Sequence, residues 1–175
     1  LELVQRFYNQ RRAQLKTVRP NAGHIALAEL EKKWDGDFLL VTQNVDDLHE
    51  RAGSKKLIHM HGELLSKRCT SSGSVYACNE DITGTDFRPH IVWFGEMPFE
   101  MERIYRALEN ADLFLSIGTS GNVYPAAGFV QAAKMAGAET IEVNLEPTSS
   151  HYFDRRITGK AGEILPGFIK TLLGT

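Results

Sequence analysis

Three largely apolar stretches, each giving way to small polar residues, constrain this chain more than any other feature. They are DFLLVTQN at 37–44, ADLFLSIGTS at 111–120 and TIEVNLEP at 140–147. A strand buried on both faces reads as a continuous apolar run, and helical patterns stand between these three. The alternation predicts an α/β fold, a parallel sheet with helices on both faces. In such sheets ligands lie beyond the carboxyl ends of the strands, so chemistry is expected where the runs turn polar.

The intervening segments fill in the rest. Leu1, Val4, Tyr8, Arg11 and Leu15 recur at spacings of three and four, which predicts a helix over 1–16. Pro20 and Asn21 stop it and cap a second helix that runs to about Lys33. A short helix is expected over 46–51, strands near 57–60 and at HIVWF over 90–94, and helices over 98–111, 125–135 and 163–173. From Glu63 to about Arg88 the periodicity fails, and Ser71-Ser72-Gly73 and Thr83-Gly84 suggest a small excursion dominated by loops.

Size and charge narrow the functional classes. The 175 residues suffice for one sizeable core with at most a small lobe beside it. Twenty Lys and Arg stand against 22 Asp and Glu, a net charge of −2, so there is no basic excess to hold a nucleic acid backbone. Runs such as FLLV at 38–41 and IVWF at 91–94 are far too short to cross a bilayer, so no membrane partner is expected. Two cysteines, Cys69 and Cys78, are too few for a disulfide framework, which favours a reducing cytoplasm. The opening LELVQRFYNQRR begins without Met and lacks the apolar core of a signal peptide, so the chain is expected to be a piece of a longer protein.

The strand ends offer Thr42, Gln43, Asn44 and Asp46, then Gly118, Thr119 and Ser120, then Asn144 and Glu146. Small residues after a buried strand admit a phosphate to backbone N–H groups, and hydroxyls and a carboxylate suit a ribose. The same residue types also make ordinary turns and caps, and no GxGxxG run is present. His59 and His61 flank Met60 and share a face if the strand reaches them. One reading is a general base at His61, with Gly62 leaving room for a substrate. Another is a metal pair, His59 and His61 with His49, and a third is a structural histidine. Tyr8 and Arg11 share a helix face. They can read an acidic substrate tail through a guanidinium fork and a phenol, or be a packed Tyr beside a solvated Arg. Cys69 and Cys78 supply at most half of a structural zinc site.

In order along the chain stand TQNVDDLHERAG at 42–53, HMHG at 59–62, IVWFGE at 91–96, IGTSGNVYPAAGF at 117–129 and NLE at 144–146. Together they resemble the sirtuins, the NAD-dependent protein-lysine deacylases, over nearly the entire chain. The Tyr-x-x-Arg of Tyr8 and Arg11 in FYNQRR is similar to the signature of the bacterial class III enzymes, in which that pair recognises succinyl and malonyl groups.

The resemblance implies a Rossmann-like NAD-binding domain over 1–62 and 89–175 and a small, incomplete zinc-ribbon-like lobe over 63–88. It implies that His61 is the catalytic base. Gln43, Asn44, Val45 and Asp46 would border the ribose and nicotinamide, and Gly118, Thr119 and Ser120 a phosphate and ribose. Asn144, Leu145 and Glu146 would lie on the adenosine side, with Ala161 near the adenine. Val92, Phe94, Gly95 and Glu96 would belong to the strand that pairs with an acyl-lysine protein or peptide. The implied products are nicotinamide, O-acyl-ADP-ribose and free lysine. The alternative is an inactive module of the same fold that binds NAD, ADP-ribose or an acylated peptide. Two family features have no counterpart here. A Gly-rich loop that folds over NAD has no match ahead of the first helix. Cys69 matches the first zinc cysteine, yet no second cysteine cluster stands where ITGTD meets FRPH. The expectation is that mobile loops are missing at both points.

Overall fold

Each of the three apolar runs becomes a parallel strand, although each strand is shorter than its run. In the computed structural model, which describes residues 2–174, the elements follow in chain order. They are α1 (Glu2–Leu15), α2 (Ala22–Lys33), β1 (Leu40–Thr42), α3 (Leu48–Ala52), β2 (Leu57–His59), β3 (Gly62–Cys69), β4 (Val75–Ala77) and β5 (Phe87–Ile91). Then come α4 (Met101–Glu109), β6 (Leu113–Ile117), a 3₁₀ turn (Ala126–Gly128), α5 (Phe129–Ala136), β7 (Glu139–Asn144), β8 (Arg155–Thr158) and α6 (Ala161–Leu173). Leu1, the first position of the expected helix, lies outside the described residues.

The chain divides into two units, residues 1–20 with 38–100, and residues 21–37 with 101–175. In the first, β1 and β2 pair in parallel, with Leu40 opposite Leu57 and Thr42 opposite His59. The segment expected to be loops holds an antiparallel sheet in the order β4-β3-β5 instead. Its signal is hidden because β3 carries Glu63, Ser66, Lys67 and Arg68 on half-buried positions, and its register against β5 shifts between Glu63 and Lys67. Such an irregularity breaks the period-two pattern on which strand reading depends. The expected strand at HIVWF ends at Ile91, so Val92 to Phe94 lie beyond β5.

Leu15, Leu64 and Ile91 form the apolar cluster of this unit, with Tyr8, Val18, Val45, Leu65 and Trp93 packed on it. Polar side chains tie α1 to the same unit. Gln5 donates to the carbonyls of Gly84 and Phe87, and Asn9 both donates to and accepts from the backbone of Ile82. Arg12 is 2% exposed; its Nε donates to the Leu64 carbonyl at 2.7 Å and its Nη1 to Asn9 Oδ1 at 2.8 Å. A buried guanidinium is tolerated only with such partners.

In the second unit β6, β7 and β8 form a parallel sheet in that order, with Ile117 opposite Val143 and Asn144 opposite Thr158. Helices α5 and α6 pack on it, and α2 packs along α6. Asn21 caps α2 by accepting from the N–H groups of Gly23 and His24, while His24 Nδ1 accepts from the Asn21 N–H. That reciprocal box satisfies donors the helix start leaves open. Ala26, Leu27 and Leu30 form the buried face of α2, and Leu165 and Ile169 that of α6. Side chains buried to this degree each contribute about 1.5–3 kcal/mol for the large aliphatics. Strand β8 escapes sequence reading because RRIT has one apolar residue in four. The apolar run of β7 also conceals a buried carboxylate: Glu142 is 1% exposed, accepts from Arg156 Nε at 3.0 Å, and accepts from the Thr148 N–H at 3.0 Å.

Candidate active site

The first unit gathers its polar groups where β1 ends. Thr42 is buried, and its Oγ1 accepts from the Asn44 N–H at 3.1 Å, which turns the chain sharply off the strand. Asp46 Oδ1 accepts from the Leu48 N–H, so this carboxylate starts α3. Val45 packs on the apolar cluster, and its carbonyl accepts from the Leu64 N–H at 2.8 Å.

His61 reaches this turn from the loop after β2. Its Nδ1 lies 3.2 Å from the Gln43 carbonyl oxygen. A carbonyl only accepts, so Nδ1 carries the proton, and in the neutral ring the lone pair able to take another lies on Nε2. Nε2 has no hydrogen-bond partner among the described residues. The His61 carbonyl accepts from the Val92 N–H at 2.9 Å, which brings Gln43, His61 and Val92 into one site. Gly62 is required here by the backbone itself. It is buried at φ +91°, and a Cβ on it would stand 2.0 Å from the His90 carbonyl oxygen, so only glycine lets β3 start beside β5.

His59 and His61 are not a metal pair. The His59 Nδ1 lies 3.3 Å from the Asn44 carbonyl, one peptide beyond the His61 contact, and its Nε2 lies 2.5 Å from Glu50 Oε1. Burial is the largest influence on the His59 pKa and lowers it, but the hydrogen bond and charge of Glu50, the Asn44 carbonyl and the Glu63 charge together outweigh it and hold the pKa above its ordinary value.

The segment 92–96 is a clamped turn. Arg88 Nη1 and Nη2 donate to the two Glu96 carboxylate oxygens at 2.6 and 2.9 Å, and the Trp93 N–H donates to Glu96 Oε2 at 2.9 Å. The Arg88 guanidinium stacks 3.4 Å from the Trp93 ring centre. The Arg88 fork draws the Glu96 pKa down to about 2. Phe94 and Gly95 form the exposed tip, with Phe94 fully in solvent and Gly95 at φ +87°.

On α1, Tyr8 packs on the Leu15, Leu64 and Ile91 cluster, edge-on to Phe7 with ring centres 5.2 Å apart. Arg11 is exposed, 5.2 Å from the Phe7 ring centre and 3.4 Å from Gln14 Oε1. Val45 packs on the same cluster as Tyr8, so the pair stands in the unit that holds His61.

In the second unit the register sets Gly118 beside Asn144 at the carboxyl ends of β6 and β7. Gly118 has φ +62°, and no atom lies within 4 Å of the position a Cβ would take, so the backbone there is open to approach. Asn144 Nδ2 donates to the Thr119 carbonyl at 2.6 Å, and Asn144 Oδ1 accepts from the Leu145 N–H at 2.9 Å, locking the two turns together. Thr119 Oγ1 accepts from the Gly121 N–H and Ser120 Oγ from the Asn122 N–H. Ser120, Leu145 and Glu146 are exposed. Ala161 opens α6, with its carbonyl against Gly23 of α2. An open glycine turn beside hydroxyl and carboxylate groups fits a nucleotide.

The cysteines do not fit a structural zinc. Cys69 Sγ lies 3.3 Å from Ser71 Oγ and Cys78 Sγ donates to the Glu80 carbonyl. Neither belongs to a group of three potential ligands among the described residues. Both are free thiols.

The fold is a Rossmann-like α/β one, with His61 beside a strand-end turn of the first unit and an open glycine turn at the strand ends of the second. The Sir2 family pattern matches residues 2–125, and the chain belongs to that family. It is 57% identical over 185 aligned residues to a NAD-dependent protein deacylase of Pasteurella multocida, covering 98% of this chain and 79% of that protein. Against the protein of the same name in Shewanella oneidensis the identity is 53%, covering 98% and 76%. A crystal structure of a Sir2 homologue in complex with NAD superposes with a TM-score of 0.88 at 36% identity, covering 97% of this chain and 72% of that one. Sir2Af2 bound to a myristoylated histone peptide superposes with a TM-score of 0.80 at 31% identity, covering 97% and 81%. No helix among the described residues is long and apolar enough to cross a membrane.

Proposed function

We propose that this chain removes acyl groups from protein lysines in a reaction that consumes NAD. The observation that carries the reading is the contact of His61 Nδ1 with the Gln43 carbonyl at 3.2 Å, which leaves Nε2 as the ring nitrogen that can take a proton. The identity to bacterial NAD-dependent protein deacylases supports it. When bound, NAD would supply an anomeric carbon whose bond to nicotinamide can break in favour of the acyl oxygen, and addition of one water then accounts for the products nicotinamide, O-acyl-ADP-ribose and free lysine. His61 takes a proton from a ribose hydroxyl at Nε2, and the Gln43 carbonyl keeps the ring in the tautomer that can do so. Gln43, Asn44, Val45 and Asp46 shape the ribose and nicotinamide side. Gly118, Thr119 and Ser120 approach phosphate and ribose, and Asn144, Leu145, Glu146 and Ala161 serve the adenosine. Val92, Phe94 and Gly95 meet the backbone of the acylated protein. Glu96 holds that turn through Arg88, so its contribution is to shape and not to contact.

Tyr8 and Arg11 extend the range to succinyl and malonyl lysine, because a guanidinium fork and a phenol complement a terminal carboxylate. The partner is an acylated protein and not a nucleic acid, in keeping with the net charge of −2. Two free thiols suit a reducing cytoplasm. The test is nicotinamide release from NAD with acetyl-lysine and succinyl-lysine peptides. Release that requires both NAD and the acyl group is expected; acyl loss that proceeds without NAD would overturn the reading.

A further inference from the structure

We propose that Glu50, His59 and Glu63 form a binding site for one divalent metal ion of the zinc and cobalt type, independent of the cysteines and of the deacylase reading. The three residues come from three elements, α3, the end of β2 and the start of β3, and their ligand atoms all lie within 4.8 Å of one another. Among the described residues no other His, Cys, Asp and Glu side chains form such a group.

The separations suit an ion at the centre. His59 Nε2 lies 2.5 Å from Glu50 Oε1 and 3.9 Å from Glu63 Oε1. A tetrahedral zinc, with ligand bonds of about 2.0–2.2 Å, spaces its ligand atoms at roughly 3.3–3.5 Å. The two observed values bracket that spacing. Glu50 and Glu63 side chains are 40% and 43% exposed, so both can swing the needed fraction of an ångström, whereas the His59 side chain is only 9% exposed and stays put. A buried nitrogen donor at the floor and two carboxylates at an open mouth leave a position for water, as three-ligand zinc sites do.

The charge and tautomer agree with the geometry. Nδ1 of His59 faces the Asn44 carbonyl at 3.3 Å, which fixes the proton there. Nε2 is then the atom turned to two carboxylates, and a bare lone pair cannot sit 2.5 Å from a carboxylate oxygen without a positive centre between them. A second ring proton or a metal ion meets that demand. A ligating histidine ordinarily donates its other ring nitrogen to a backbone carbonyl, which is the Asn44 contact. Two carboxylates and a neutral imidazole carry −2, matching a divalent cation. The nitrogen and oxygen donor set with no sulfur suits zinc or cobalt and not copper(I).

An ion here would pin the Asn44 carbonyl. The neighbouring Gln43 carbonyl holds His61, so occupancy of the site stiffens the turn on which the imidazole base depends.

The test titrates Co²⁺ and then Zn²⁺ into chelator-stripped chain, read by ligand-field absorption and calorimetry, with circular dichroism as the check on folding. One equivalent is expected, giving the intense visible bands of a low-coordinate site that zinc then displaces, with proton release at neutral pH. Glu63→Gln and Glu50→Gln, both at partly exposed side chains, should each weaken cobalt at least about tenfold, as should His59→Gln. A Cys69→Ser/Cys78→Ser double variant should bind as the parent does. Failure to bind a stoichiometric ion, binding unchanged in the two Gln variants, or binding lost with the cysteines would each overturn the proposal.

Discussion

His61 Nδ1 and the Gln43 carbonyl oxygen stand 3.2 Å apart, so the carbonyl at the end of β1 dictates which nitrogen of the ring carries the proton. The consequence is chemical. His61→Ala removes the base and His61→Tyr replaces it with a phenol far too weak an acceptor near neutral pH. Either should lower NAD-dependent nicotinamide release by about 10²–10⁴-fold with unchanged circular dichroism. Turnover within a few-fold of the parent would remove His61 from the mechanism.

Arg11 is exposed, and among the described residues its only polar side-chain contact is a long one to Gln14. Arg11→Met keeps most of the stem and removes the fork, so folding should be unaffected. Charge-assisted bonds to a carboxylate contribute about 1.5–3 kcal/mol, so desuccinylation should fall about 10- to 100-fold in kcat/KM while deacetylation changes less than threefold. Parallel losses on both peptides would count against the pair as a reader of acidic acyl groups.

The turn 92–96 hangs on Arg88 and Glu96. Glu96 is held at about 2 in the folded chain, against an ordinary carboxyl value of 4.5. A depressed carboxylate adds stability that is fully present above the unfolded value and is lost as pH falls toward the folded one. The window is therefore from about 4.5 down to 2. Urea unfolding between pH 6 and pH 3 should show the parent losing more stability than Glu96→Gln, which has nothing there to titrate. The size stays modest because the carboxylate is partly in water. Equal slopes in the two proteins would show that the pair is not formed in solution.

Gly62→Ala meets the His90 carbonyl at 2.0 Å on a backbone at φ +91°. Strain at such positions costs of order 1–3 kcal/mol before any clash is counted. A lower thermal midpoint is expected, together with reduced activity, because the shift displaces His61 next to it. A variant as stable and active as the parent would mean that β3 and β5 are less closely set.

The parallel strands were legible because each centres on a short apolar stretch, such as LFL in β6, that gives way to small polar residues where the strand ends. The antiparallel sheet was not, since Lys67 and Arg68 occupy β3 at half-buried positions that read as solvent-facing. At Lys67 the chain solves this by laying the ammonium 4.4 Å from the Phe87 ring centre, a contact between residues 20 apart that no local pattern reveals. HIVWF misled in the opposite direction: Trp93 is apolar because it supports the Arg88 guanidinium, not because the strand continues. The motifs marked the strand ends at which polar groups gather, whereas the partners those groups take were hidden from any local pattern. Glu50 and Glu63 look like ordinary surface acids until α3 and β3 bring them to His59.

Arg12 is the pin of helix α1. With Nε on Leu64 and Nη1 on Asn9, and with Gln5 and Asn9 reaching the 82–87 backbone, the angular setting of that helix is fixed from one flank. Each residue advances an α-helix by about 100°. Inserting or deleting a single residue between Gln5 and Arg12 would leave the anchors on different sides of the cylinder, and the intervening Tyr8 and Arg11 would swing away with one set of them. The face of this helix that carries Tyr8 and Arg11 is therefore free to diversify by exchanging side chains but not by changing length.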